Sequence, residues 1–178
     1  MGKYPEVARG NMASAEMRGR ESRVAARGYN EKDLPTIRKL ELAAENFGEQ
    51  FLEWEMILMK RDSIPEFGAV FVAENKGEIV GYIALSKRIF SIQVDSLVVR
   101  EDMRRKGVGT VLIEKAKEYT RDSNLSILRV DTGDFMNYAI NFYLKAGFRP
   151  CGYVTHDFGP MSQQLHFYMD ISGKPPQR

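Results

Sequence analysis

The sequence is poor in the residues that disulfide-stabilised and zinc-binding proteins depend on. Among its 178 residues it has one cysteine, Cys151, and two histidines, His156 and His166. A single cysteine cannot form an internal disulfide, which predicts a reducing, cytoplasmic setting, and Cys/His zinc clusters are excluded. No run of about 18 apolar residues could cross a membrane, and no secretory signal is recognisable at the start. We therefore expect neither a metal nor a membrane partner.

The sequence also lacks a large excess of charge of either sign. The 26 Lys and Arg residues against 24 Asp and Glu leave a net charge of +2, which is too small to indicate nucleic-acid binding. The hydrophobic fraction of 43% and the length fit one globular domain with one core. We assign this domain to residues 23–172, with an N-terminal tail or extension at 1–22 and a C-terminal tail at 173–178.

Hydrophobic periodicity divides the predicted domain into strands and helices. Strands are predicted at residues 23–29, 69–74, 78–86, 91–100, 127–132, 150–156 and 165–170. Helices are predicted at residues 30–44, 51–60, 107–122 and 136–146. The order β-α-α-β-β-β-α-β-α-β-β predicts a single α/β domain, with a mixed central β-sheet flanked by helices.

The strongest chemical signal follows the strand at 91–100, where the sequence reads Arg104-Arg105-Lys106-Gly107-Val108-Gly109-Thr110. A helix beginning here presents unpaired N–H groups and a partial positive charge, which suit an anion. Gly107 and Gly109 would let the main chain approach phosphate oxygens without a Cβ. The alternative is an ordinary glycine turn before a solvated basic helix. The turn alone indicates a phosphorylated ligand.

Two motifs together resemble a known family. Leu97-x-Val99 followed by Arg104-x-x-Gly107-x-Gly109 resembles the cofactor motif of the GNAT superfamily of acyl-CoA-dependent N-acetyltransferases, and the run from Asn137 to Phe148 resembles its second signature. The similarity implies a GNAT-like domain and acetyl-CoA as the acetyl donor. It also implies a primary amine acceptor, either a small molecule or a protein N-terminus or lysine. A homodimer stays open, and a non-catalytic acyl-CoA-binding regulatory module is the alternative function.

The resemblance also implies roles for individual residues. Acetyl-CoA would lie between two splayed parallel strands, where the Leu97 N–H would polarise the thioester carbonyl and Val99 would bond the pantetheine arm. The N–H groups from Arg105 to Thr110 would surround the pyrophosphate. The implied cofactor-binding residues are Leu97, Val98, Val99, Arg104, Arg105, Lys106, Gly107, Val108, Gly109, Thr110, Asn137 and Tyr143.

Tyr143 is the candidate general acid, because a phenol near the thioester sulfur can protonate the departing thiolate. Its spacing also fits a core residue. Asn137 would contact the cofactor, or it could cap the helix that it opens. For the general base we choose Asp95, because period-two alternation puts it on the same side of its strand as Leu97 and Val99.

Several alternatives remain open at this stage. Asp131 is a second candidate base, and either carboxylate could simply be solvated. Cys151 is expected in the core with no catalytic role, and surface or strand positions are expected for both histidines. Phe51 and Trp54 could line the acceptor pocket, but core positions are favoured. Acceptor selectivity would lie in the first two helices and the connection at residues 157–163.

Overall fold

The computed structural model describes residues 24–44, 49–155 and 163–173, with the backbone alone for 49–55. Its strands are β1 (Ala25–Gly28), β2 (Gly68–Asn75), β3 (Glu78–Lys87), β4 (Ile92–Val99), β5 (Ile127–Gly133), β6 (Arg149–Thr155) and β7 (Gln163–Asp170). Its α-helices are α1 (Leu34–Ala44), α2 (Glu49–Asp62), α3 (Val108–Asp122) and α4 (Asn137–Lys145). The predicted order of elements is confirmed.

The seven strands form one sheet in the order β1-β2-β3-β4-β5-β7-β6. The pair β4–β5 is parallel, whereas the other neighbours are antiparallel. The predicted single α/β domain with a mixed sheet is therefore confirmed. Within the described ranges, no helix is long and apolar enough to cross a membrane.

The entry to α1 is fixed by polar contacts that the sequence predicts. The Asn30 side chain accepts a hydrogen bond from the Lys32 N–H at 3.1 Å, and the Asn30 N–H donates to Asp33 Oδ2 at 2.8 Å. These contacts satisfy two N–H groups that a helix start leaves unpaired. Arg27 of β1 reaches both Asp33 and Glu74 at 2.7 Å, which ties the start of α1 to the sheet.

Each face of the sheet is covered by two helices. One core lies under α3 and α4 and contains Ile83, Leu85, Leu112, Leu128 and Phe167. The other lies under α1 and α2 and contains Ile37, Met59, Val72 and Tyr82. We call these the α3–α4 face and the α1–α2 face. The apolar side chains of Ile37 and Leu40 on α1 pack into the second core.

Strands β4 and β5 pair over a short distance and then separate. Their Cα partners are Ile92 with Leu128, Gln93 with Arg129 and Val94 with Val130. From Ser96 onward β4 keeps its pairing with β3, and from Asp131 onward β5 keeps its pairing with β7. We call the opening after Val94 and Val130 the fork. Backbone groups along its inner edges are free of the sheet ladder, so a ligand can use them.

Some predicted features lie outside the described residues. These are the N-terminal segment 1–22, residues 174–178 of the C-terminal segment, His156, and residues 157–162 of the predicted selectivity connection. The side chains of Phe51 and Trp54 also lie outside them. The domain bounds and the roles suggested for these residues stay predictions.

Candidate functional site

The predicted phosphate-binding turn joins β4 to α3 and uses left-handed backbone. Gly107 stands immediately before α3 with φ 83° and ψ −1°, and Arg105 also has a positive φ of 60°. The first helical hydrogen bond runs from the Val111 N–H to the Gly107 carbonyl at 3.0 Å. The N–H groups before Val111 have no carbonyl partner within the helix, so they can bind an anion.

Three exposed cations surround this turn. Arg104, Arg105 and Lys106 are exposed, and within the described ranges none of them forms an ion pair. The Arg104 guanidinium lies over the Tyr138 ring, 5.8 Å from its centroid, and its Nε donates to the Val99 carbonyl at 3.3 Å. The turn therefore keeps positive charge that an anionic ligand could neutralise.

The second glycine of the turn has a packing role that the sequence interpretation missed. A Cβ on Gly109 would lie 2.9 Å from Cζ of Phe142, whereas a Cβ on Gly107 would meet no atom within 4 Å. Gly107 is therefore needed for its backbone angle and Gly109 for the Phe142 ring. Phe142 belongs to the second motif. The contacts Gly109–Phe142 and Arg104–Tyr138 thus pack the two motifs directly against each other.

Tyr143 of α4 lies in the α3–α4 face beneath the fork. Its ring packs between Phe142, Phe148 and Phe167 at centroid distances of 5.4–6.4 Å, and 6% of the residue is exposed. Burial raises the pKa of its phenol, so the group stays protonated. Within the described ranges, the charges of Tyr138 and Asp131 add to the effect of burial on the pKa of the hydroxyl, and no side-chain hydrogen bond is among these influences. This geometry fits the predicted role of Tyr143 as a proton donor, and it fits the alternative of a core position equally well.

Asn137 is exposed and is the first residue of α4. The residue before the helix is Met136, and no side-chain cap is present. The alternative role of Asn137 as a helix cap is therefore wrong. Its exposed amide stands one residue before Tyr138, whose ring contacts Arg104 of the turn.

The reason given for placing Asp95 beside Leu97 and Val99 is wrong. A β-bulge interrupts the β3–β4 ladder, because Ala84 pairs with Ser96 and Leu85 pairs with Val94, which leaves Asp95 as an extra residue. A bulge shifts the alternation of the strand. Asp95 consequently turns to the α1–α2 face, where Arg61 Nη2 of α2 donates to its Oδ2 at 3.0 Å.

Leu97 and Val99 instead pack on the α3–α4 face. The sequence carries a trace of this break, since the apolar positions change from even numbers at Ile92 and Val94 to odd numbers at Leu97 and Val99. That change of phase was the signal that could have placed Asp95 on the opposite face.

Asp95 belongs to a charged cluster at the end of α2. Arg61 also donates to Oδ1 of Asp62, and Arg88 Nη2 lies 3.9 Å from Asp95 Oδ1. Asp62 is fully buried, and its Oδ2 has no hydrogen-bond partner among the residues that the structure describes. Desolvation, opposed by Arg61 and reinforced by Asp95, raises the pKa of Asp62 to about 7. Sequence patterns did not single out Asp62 or Arg61.

The second candidate base, Asp131, is the first β5 residue beyond the last β4–β5 pair. Its Oδ1 lies 2.6 Å from Nδ1 of His166, the residue opposite it on β7. Its Oδ2 accepts a hydrogen bond from Gln93 Nε2 at 3.1 Å. The strand position expected for His166 is correct, but the pairing of β5 with β7 could not be deduced from the sequence.

A further carboxylate on the α1–α2 face was not predicted. Glu41 of α1 accepts hydrogen bonds from the Tyr82 hydroxyl and from Ser96 Oγ, and Ser96 immediately follows the bulge. Burial raises the pKa of Glu41, and these two donors oppose the rise. The α1–α2 face thus carries four acidic side chains close to the fork.

Cys151 is exposed on β6 beside a second register shift, so its expected core position is wrong. Strand β6 forms the edge of the sheet and is exposed along its length. Within the described ranges, no three His, Cys, Asp or Glu side chains are arranged to hold a metal ion.

Comparisons with known proteins agree with this architecture. A structure of a GNAT-family acetyltransferase from Desulfovibrio desulfuricans has a TM-score of 0.76 at 14% identity and covers 84% of this chain and 100% of its own. An aminoglycoside 6'-N-acetyltransferase solved with coenzyme A has a TM-score of 0.69 at 18% identity and covers 85% and 99%. At such identities these likenesses establish the fold.

Sequence relatives extend the comparison. An uncharacterized N-acetyltransferase of Methanocaldococcus jannaschii is 33% identical over 106 residues, which are 55% of this chain and 43% of that protein. This chain therefore spans less than half of that relative. The sequence model of the acetyltransferase (GNAT) family matches residues 36–148, a range that contains the turn, the fork and α4. The chain belongs to the GNAT acetyltransferase family.

Proposed function

We propose that the protein is an acetyl-CoA-dependent N-acetyltransferase that acts on a primary amine. The observation that carries this proposal is the fork between β4 and β5, with a glycine-containing basic turn at the end of one of its strands. Family membership supports the same reaction, and the aminoglycoside acetyltransferase named above was solved with coenzyme A. Acetyl-CoA would supply an activated acetyl group as a thioester.

The turn suits the anionic end of this donor. The N–H groups before Val111 can donate to diphosphate oxygens, and Arg104, Arg105 and Lys106 add unpaired positive charge. The Val99 carbonyl, which Arg104 contacts, can accept a hydrogen bond from the pantetheine arm once the guanidinium moves to a phosphate. The Leu97 N–H as polariser of the carbonyl, and contacts from Val98 and Asn137, complete the proposed set.

Tyr143 suits the proton donor for the leaving thiolate. Burial raises the pKa of this phenol, so Tyr143 keeps its proton until negative charge develops on the leaving sulfur. The phenol can then donate its proton to that sulfur, because no side-chain hydrogen bond within the described ranges engages its hydroxyl. The proton is restored from solvent after the products leave.

The acceptor suits the opposite face of the fork. Glu41, Asp62, Asp95 and Asp131 place carboxyl groups on the α1–α2 face, and Arg61 and Arg88 neutralise part of their charge. Most alkyl amines arrive as ammonium ions, and a carboxyl oxygen on this face could accept a hydrogen bond from such a cation. A general base on this face would then remove a proton from the ammonium group.

The proposal is tested by measuring coenzyme A release from acetyl-CoA across a panel of peptide N-termini, lysine peptides, polyamines and aminoglycosides. We expect tight acetyl-CoA binding and turnover with at least one amine. Arg105→Gln together with Lys106→Gln should weaken acetyl-CoA binding, whereas Lys117→Gln on the remote part of α3 should not. Failure to bind acetyl-CoA would disprove the proposal. Binding without turnover would favour the non-catalytic regulatory module.

A further inference from the structure

We propose that His166, oriented by Asp131, is the general base of this acetyl transfer. The inference rests on the proposed function and assigns its proton acceptor. It starts from one rung of the β5–β7 ladder, where Asp131 and His166 are direct partners. This rung lies immediately beyond Val130, the residue at which β4 and β5 stop pairing. The two side chains therefore stand at the closed end of the fork.

Both residues face the acidic side of the sheet. Their neighbours Val130 and Phe167 pack in the α3–α4 core, so by alternation Asp131 and His166 project to the α1–α2 face. Tyr143 lies in the α3–α4 core. A thioester bound in the fork would thus have the Tyr143 phenol on one side and the His166 imidazole on the other. Direct acetyl transfer can use both, because one group takes a proton from the amine and the other gives a proton to the thiolate.

Hydrogen bonding makes Asp131 an orienting group. Its Oδ1 is engaged by His166 Nδ1 at 2.6 Å and its Oδ2 by Gln93 Nε2 at 3.1 Å. Both carboxylate oxygens are therefore already occupied. In the tautomer whose Nδ1–H donates to Asp131, His166 Nε2 holds a lone pair, and the carboxylate fixes the orientation of the ring.

Within the part of the chain that the structure describes, the second nitrogen of His166 has no partner. Its Nε2 is buried and makes no hydrogen bond there, although a buried polar atom without a partner is costly and uncommon. An acceptor nitrogen that enters from the fork and displaces the side chains covering Nε2 could donate to it. Asp95 is less suited, because Arg61 donates to it at 3.0 Å and Arg88 approaches to 3.9 Å.

The proton balance is complete with these groups. The acceptor ammonium gives one proton to His166 Nε2, and the freed nitrogen lone pair forms a bond to the thioester carbonyl carbon. The C–S bond then breaks and its electron pair stays on sulfur, which takes the Tyr143 proton. The new amide nitrogen loses its second proton to solvent, and one proton is released overall from R–NH₃⁺ and acetyl-CoA to give the amide and coenzyme A.

The test compares two acceptors that differ in whether they need a base. We take the best amine of the panel and its alkoxyamine analogue, in which an oxygen precedes a nitrogen that is neutral at pH 7. His166→Gln should lower kcat/KM about 100-fold for the ammonium acceptor and less than about 5-fold for the neutral one. Equal losses for both acceptors would identify a structural residue and overturn the inference.

Two further variants separate the candidates. Asp131→Asn should reproduce the selective loss, and Arg129→Gln, an exposed position on the same strand face, should leave both rates unchanged. If Asp95→Asn shows the selective loss and His166→Gln does not, Asp95 is the base and the inference is wrong. If the wild type acetylates no panel amine, the proposed function fails as well.

The NMR signals of the His166 imidazole give a readout that does not depend on turnover. In nitrogen-resolved NMR of the full chain without ligand, His166 should show an Nδ1-bound proton shifted strongly downfield by its carboxylate partner, and Asp131→Asn should remove this signal. An Nε2-protonated tautomer in the wild type would contradict the assignment. Acetyl-CoA binding should be unchanged in Asp131→Asn and in His166→Gln, because neither residue belongs to the proposed phosphate turn.

Discussion

The two faces of the sheet differ in chemistry where β4 and β5 separate. The α3–α4 face leads to an exposed basic turn and encloses Tyr143 among aromatic rings. The α1–α2 face carries Glu41, Asp62, Asp95 and Asp131. Arg61 and Arg88 neutralise part of the charge on the α1–α2 face, whereas the basic turn keeps exposed positive charge that suits the phosphate groups of the proposed donor. We infer that the proposed donor and acceptor approach the fork from opposite faces of the sheet.

The largest expected effect comes from removing the phenol on the α3–α4 face. Tyr143→Phe should lower kcat about 100-fold, because a positioned general acid contributes at least that factor. Acetyl-CoA affinity and thermal stability should change little, since the hydroxyl has no partner within the described ranges. Steady-state kinetics with a direct binding assay checks this. Tyr119→Phe is the matched control. An unchanged kcat in Tyr143→Phe would show that Tyr143 is not the general acid.

The packing between the two motifs is tested by Gly109→Ala. Because the new Cβ would lie 2.9 Å from Phe142, overpacking should reduce the free energy of unfolding by about 1–3 kcal/mol. Phe142→Leu in the same chain should recover part of this loss. Gly107→Ala should cost about 1–2 kcal/mol through its positive φ, with no recovery from Phe142→Leu. Additive effects of Gly109→Ala and Phe142→Leu in denaturant unfolding would rule out the contact.

The acidic face should make folding stability depend on pH. Because the pKa of Asp62 is raised to about 7, the folded protein holds a proton that the unfolded chain has released. The contribution of Asp62 is therefore greatest at low pH and is lost as pH rises from about 4 to about 7. Urea unfolding at pH 5 and pH 8 should show a smaller decline in Asp62→Asn than in the wild type. Asp122→Asn, an exposed residue at the end of α3, is the control, and identical declines would contradict the prediction.

The smallest expected effect is on the exposed turn. Lys106→Gln should weaken acetyl-CoA binding by at most about 5-fold, because an exposed ion pair is worth up to about 1 kcal/mol. The difference from wild type should shrink as salt rises, since screening acts on solvent-exposed charges. Calorimetric titration at two salt concentrations measures it, with Lys145→Gln as the control. A loss that persists in high salt would mean that Lys106 acts by a direct, water-excluded contact.

Local signals made much of the fold predictable. Glycines, apolar periodicity and helix-start residues are read over a few neighbouring positions, and they placed the strands and helices in the observed order. The phosphate turn could be predicted for the same reason, because Gly107 and the N–H groups that follow it depend on local backbone geometry. The roles of the turn residues in catalysis and binding stay predictions.

The acceptor side depended on contacts between distant residues. The ion pair of Arg61 with Asp95 joins positions 34 residues apart, and the pair Asp131–His166 joins positions 35 apart. Neither follows from periodicity, and simple alternation failed at Asp95 because of the β-bulge. The burial of Asp62 likewise depends on how α2 packs on the sheet.

The bulge at Asp95 has a consequence for how the gene could change. Without Asp95, Val94 and Ser96 would be consecutive residues. Their side chains would then alternate regularly between the two faces of the sheet, opposite Leu85 and Ala84 on β3. A deletion of this single codon would therefore repair the ladder rather than damage it. The same deletion would remove the ion pair of Asp95 with Arg61 of α2, so retention of the residue in a lineage would record selection for that contact or for its chemistry.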